Sequence, residues 1–177
     1  LPRYRWNTEV LDKKLIKVIS IFYSLSSEKR FFEKLIGKIN IRFDALIEIY
    51  FEIESYPKLP SENLKIFKEI LLNNCLFSEQ MYIVEGIKKC FCSLSNDIEE
   101  IGWEILNKFQ YNEDFSEKGR IIALMILLWL KDQKESNLFE DKWHSHRTDL
   151  IKELFDKYPD LAEEKMSDIL TDNTWAF

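Results

Sequence analysis

Ile121 to Leu130 is an unbroken run of ten apolar residues, closed by Lys118 and Arg120 on one side and by Lys131 and Asp132 on the other. A helix needs about 20 apolar residues to span a bilayer, so the run is too short to cross a membrane. A helix that is apolar all round must be covered all round. The run therefore predicts the buried central helix of a soluble core, about residues 116–132, with the other segments laid against it. Glycine and proline indicate what those segments are, because the 177 residues include only four of each. Tight hairpin turns and phosphate-cradling loops both draw on glycine, so the scarcity points to an all-α fold. The length suits a single domain with a substantial core. Apolar residues make up 46% of the chain, with thirteen Phe and five Trp among them, which is not the composition of a disordered chain.

Helical spacing recurs along most of the sequence. Asn7 or Thr8 can cap a helix whose apolar line is Leu11, Leu15, Val18 and Phe22, broadened by Ile16, Ile19 and Tyr23. Ser26 or Ser27 can open a second helix through Phe31, Phe32, Leu35 and Ile36. Residues 39–54 fit two patterns. Ile47, Ile49, Phe51 and Ile53 alternate as in a strand, whereas Phe43, Leu46, Ile47, Tyr50 and Ile53 form a helical stripe. Asp44-Ala45 is poor hairpin chemistry and a lone hairpin is marginal, which favours helix.

Pro57 and Pro60 make the clearest break, and the 56–61 linker is where any subdivision of the chain would fall. Beyond it the spacing predicts helices over about 62–74, from Ser78 to about 93, and from Asn96, where Asn96 and Glu99 resemble a capping box. The central helix follows, then one ending near Lys157 and a last one begun by Pro159. About eight helices result, arranged from residue 61 onward as three pairs near 62–93, 97–134 and 138–171. That spacing resembles the stacked hairpins of HEAT or tetratricopeptide architectures, without their signature residues.

Charge is unevenly placed. Residues 1–40 hold nine Lys/Arg against four Asp/Glu, so of the net −6 residues 41–177 carry −11. An acidic body repels nucleic acid and anionic lipid and attracts basic partners. Asp97, Glu100 and Glu104 share one helix face, and Glu113, Asp114 and Glu117 follow in the next loop, giving residues 93–117 seven acids and one Lys. The helix dipole favours carboxylates in a first turn, which accounts for part of that row. Glu164, Asp168 and Asp172 form a second row at four-residue spacing. Like charges so spaced cost a few tenths of a kcal/mol per pair, so this row has no folding benefit. A solvated face explains either row, and a basic partner explains the second better.

Catalytic and metal chemistry find little support. His144 and His146, the only histidines, would point to different sides of a helix and could chelate only from an extended loop, with Asp141 or Asp149. Cys75, Cys90 and Cys92 lack zinc-site and disulfide-framework spacing, which suggests reduced thiols in a cytoplasmic protein. No nucleophile elbow, phosphate loop or dinucleotide fingerprint occurs, and the first residues show no signal-peptide pattern. A non-enzymatic binding protein without cofactor or metal is expected.

Pro2-Arg3-Tyr4-Arg5-Trp6-Asn7-Thr8, followed by an acid and an amphipathic helix, resembles the opening of small bacterial immunity proteins of contact-dependent and other polymorphic toxin systems. The rest of the chain agrees in character, being small, acidic and helical. The resemblance implies a cytoplasmic inhibitor that binds the C-terminal domain of a cognate toxin, often a basic nuclease. The expected contact surface is Asp97, Glu100, Glu104, Glu113, Asp114, Glu117, Glu164, Asp168 and Asp172, with Trp103 or Trp175 as aromatic anchors. The alternative is a helical-repeat scaffold that binds a peptide or a protein subunit.

Overall fold

A computed structural model describes residues 8–25, 33–34, 41–56, 61–132 and 140–163. Every regular element among the described residues is helical: α1 (Thr8–Leu25), α2 (Phe43–Glu54), α3 (Ser61–Cys75), α4 (Gln80–Cys92), α5 (Asn96–Gln110), α6 (Ser116–Asp132), α7 (Glu140–Lys157) and the short α8 (Asp160–Glu163). A single 3-10 turn, Glu113–Phe115, joins α5 to α6. The chain is a single all-α domain around one apolar core that runs from Ile16 to Leu161. The doubtful stretch 39–54 yields the helix α2, which buries Phe43, Leu46, Ile47, Ile49 and Ile53. The expected second helix apart from Glu33 and Lys34, which are helical, the 56–61 linker's prolines and the residues beyond 163 lie outside the described set.

The central helix α6 starts at Ser116, just ahead of the bracketing Lys118 and Arg120, and stops at Asp132. It buries Gly119, Ile122, Ala123, Leu124, Ile126, Leu127 and Leu130, while Ile121, Met125, Leu128 and Trp129 form a half-buried strip. Its neighbours are α4, α5 and α7, and α4 in turn packs on α2 and α5. The pairing of 97–134 forms as α5 against α6. Across the turn at 76–79 it runs differently, because α3 lies chiefly against α2 and α5 and less against α4, the next helix in sequence.

Three local expectations are corrected by packing. In α1, Ile16, Ile19 and Tyr23 face inward as the spacing predicts, but Val18 is 53% exposed and Ser20 is buried in its place. Tyr23 sets that rotation, with its hydroxyl donating to the Asn63 carbonyl at 2.5 Å and its ring edge-on to Phe67. The capping box at Asn96 does not form: Ser95 occupies the cap position without a side-chain bond, and Glu99 accepts from Trp103 Nε1. Ser78 does not cap α4 but donates back to the Asn74 carbonyl, closing α3.

Two glycines mark close helix crossings. A Cβ on Gly119 would lie 2.4 Å from the Cβ of Phe109, locking the start of α6 onto the end of α5. A Cβ on Gly102 would lie 2.6 Å from the ring of Phe91, at the crossing of α5 and α4. Leu94 in the α4–α5 turn takes a left-handed φ of 57°, a conformation that favours glycine.

Candidate functional site

The first acidic row sits on α5. Ile101, Trp103, Ile105, Leu106 and Phe109 turn inward, so Asp97, Glu100, Glu104, Lys108 and Tyr111 fall on the outer side. Asp97 and Glu99 occupy the first turn, where the unpaired N–H groups favour carboxylates. Glu104 is taken up by Lys68 of α3 at 2.7 Å.

Neighbouring helices enlarge the row. Glu54, the last residue of α2, stands beside Asp97; burial first, and then the Asp97 charge, push its carboxyl above the ordinary 4.5. One turn earlier the Tyr50 hydroxyl is pushed up to about 12 by burial and then by Glu54, Asp97, Glu104 and Cys90. On the other flank Glu153 of α7 is also raised above 4.5: burial is the main cause, Lys157 opposes it, and Glu99, Glu100 and Asp156 add to it. Lys157 lies 3.9 Å from Glu153 and stacks over the Trp103 ring. The surface thus spans three helices and brings Glu54, Glu153 and Asp156 into a group that sequence spacing placed on one helix.

Of the nine acids expected to form one surface, the six among the described residues fall into two groups along α5. Glu113, Asp114 and Glu117 lie past the far end of α5, whose last residue is about 20 Å along the axis from Asp97. There Asn112 Oδ1 accepts from the Asp114 N–H at 3.2 Å, and Arg120 approaches Glu117 at 3.5 Å. Glu164, Asp168 and Asp172, and with them Trp175, lie outside the described residues. Trp103 is no surface anchor. It is 2% exposed, packed on Phe91 at 4.8 Å between ring centres, and its Nε1 donates to Glu99 at 3.2 Å. The most exposed of the described large apolar side chains are Phe77 and Tyr111, at 80% and 82%. Both sit in or beside turns, where no helical stripe singles them out.

His144 and His146 lie on α7 and diverge. His144 is exposed beside Arg147, whereas His146 Nε2 meets the Phe91 carbonyl at 3.1 Å and Glu99 at 3.5 Å. Cys90 and Cys92 likewise fall on opposite sides of α4, buried and exposed. Burial pushes the Cys75 and Cys90 thiols up to about 11 and about 12. Among the described residues no group of three His, Cys, Asp or Glu is placed to hold a metal ion, and no helix is long and apolar enough to cross a membrane. Comparison with protein-family models, with curated proteins and with solved structures finds no match to this chain.

Proposed function

We propose that this chain is an immunity protein: it binds the C-terminal domain of a cognate toxin, a basic nuclease, and covers its nucleic-acid cleft with the acidic surface of α5 and its neighbours. The observation that carries the proposal is that α2, α5 and α7 bring Glu54, Asp97, Glu99, Glu100, Glu153 and Asp156 to one surface. There Glu54 and Glu153 ionise first against partial burial and then beside other acids, with Lys157 easing Glu153. Such crowding opposes folding of the isolated chain, and a cationic partner would relieve it. Opposite charge also speeds encounter, which suits an inhibitor that must capture a toxin before it acts.

The test is binding of the immobilised protein to the C-terminal domain encoded by the adjacent upstream gene. Nanomolar binding that blocks toxicity and weakens with salt is expected. A Glu54→Lys/Glu100→Lys/Glu153→Lys variant should lose about a hundredfold in affinity, since each reversal places a cation against a cation. Unchanged affinity in that variant would remove the acidic surface from the interface, and absence of binding would sink the pairing.

A further inference from the structure

At the opposite end of α5 lies a surface of different character. Leu72 and Leu76 of the α3 end line an open groove of about 490 Å³ with Glu104, Asn107, Lys108 and Tyr111 of the α5 end. Beside it Phe77 stands edge-on to Phe115, with ring centres 5.4 Å apart. Phe77 and Tyr111 are four-fifths exposed, a poor arrangement for aromatic rings in water.

Both turns that carry these rings are fixed. Lys118 Nζ donates to the carbonyls of Leu76 at 2.9 Å and Ser78 at 2.7 Å, and Ser78 Oγ donates to Asn74. On the other side the Tyr111 N–H donates to Asn107, the Phe115 N–H to Asn112, and Ser116 Oγ to Glu113. The rings are therefore held out by defined backbone, as in a pre-organised anchor.

Charge identifies what fits. Glu79, Glu113 and Asp114 are exposed around the rings and make no ion pair among the described residues. Of the nearby cations, Lys118 spends its ammonium on the two carbonyls and Arg120 lies on Glu117, which leaves Lys108. An aromatic centre ringed by acids matches an apolar side chain flanked by Lys or Arg.

We infer that the Phe77–Tyr111–Phe115 end is a docking surface for a basic polypeptide segment, with an apolar side chain seated on the rings and its cations on Glu79, Glu113 and Asp114. This rests on the proposed function in taking the partner to be a basic protein, and it places the anchoring contact away from Glu54 and Glu153.

The probe is a short amphipathic peptide of leucine and lysine, titrated into the isotope-labelled full chain and followed by amide NMR, with a leucine–glutamate peptide as control. The leucine–lysine peptide should shift resonances of 76–79 and 107–117. A Phe77→Ser/Tyr111→Ser variant should weaken it about tenfold, and the control should shift nothing. Tyr111→Ser alone serves if the double variant unfolds. No shifts, equal binding by the variant, or shifts confined to the Asp97 end would each overturn the inference. So would a concentration-dependent dimer dissolved by the same substitutions, which would assign the face to a second copy. The toxin domain separates the two proposals. If it binds wild type and double variant alike, the anchor is wrong and the immunity role stands. If it fails to bind while the peptide docks as described, the anchor stands and the immunity role falls.

Discussion

The two ends of α5 are unfavourable in different ways. At the N-terminal end, carboxylates from three helices crowd together and two of them are raised above their ordinary range. At the C-terminal end the rings of Phe77 and Tyr111 stand in water on turns held by hydrogen bonds. One end holds carboxylates against burial and then against like charge, the other holds apolar rings in water. Each defect has its own remedy, a cation for the first and an apolar side chain with cationic flanks for the second. Between them the core of α5 is tightly packed, so the two surfaces are held at a fixed spacing.

The largest expected effect breaks that spacing. Gly119→Ala forces a methyl against Phe109 Cβ, which cannot swing away, and should cost about 2 kcal/mol in urea unfolding even after the gain in helix propensity. Gly102→Ala meets the Phe91 ring, which can tilt, and should cost about 1 kcal/mol. Equal, negligible costs would mean that the crossings are not locked.

Leu94→Gly in the turn before α5 should raise stability by about 1 kcal/mol, because the left-handed backbone no longer strains a Cβ. A loss instead would assign Leu94 a packing role that outweighs its φ.

A Glu54→Gln/Glu153→Gln variant sharpens the electrostatic half. Each folded-state pKa is raised, so the neutral carboxyl's advantage is complete below the ordinary 4.5 and is lost as pH rises through the folded value. The variant should therefore gain a few tenths of a kcal/mol at neutral pH, and the gain should vanish below pH 4.5. A gain that persists in acid would trace to packing and not to charge. The smallest effect belongs to Phe77→Ser/Tyr111→Ser, which should change stability by less than about 0.5 kcal/mol; a larger loss would show that the rings support the fold.

The central helix α6 is legible in the sequence because charge brackets an apolar run, and α2 is legible as a helix because Asp44-Ala45 is poor hairpin chemistry. In α1 the inward Ile16, Ile19 and Tyr23 are legible from spacing, whereas the exposure of Val18 is not, since Val18 is as apolar as Ile19, and the buried Ser20, bonded to the Ile16 carbonyl, carries no apolar signal. Part of the acidic row on α5 is legible in the sequence, yet Glu54 and Glu153 reach that row from positions 43 and 56 residues distant from Asp97, a separation that no periodicity reports. The aromatic end was missed for the opposite reason. Phe77 and Tyr111 count as core residues in any hydropathy pattern, and their exposure comes from turn geometry.

The Lys118 bond to the 76–79 turn also sets an order of events. It joins groups 40 and 42 residues apart in sequence, and loops of that length close late, after local helices have formed. A chain growing from its N-terminus acquires α3 and α4 well before Lys118 exists to fasten the turn between them. The ring at 77 thus takes up its defined position only once α6 has emerged, and a nascent chain stopped short of it has only half of the anchor to offer a partner.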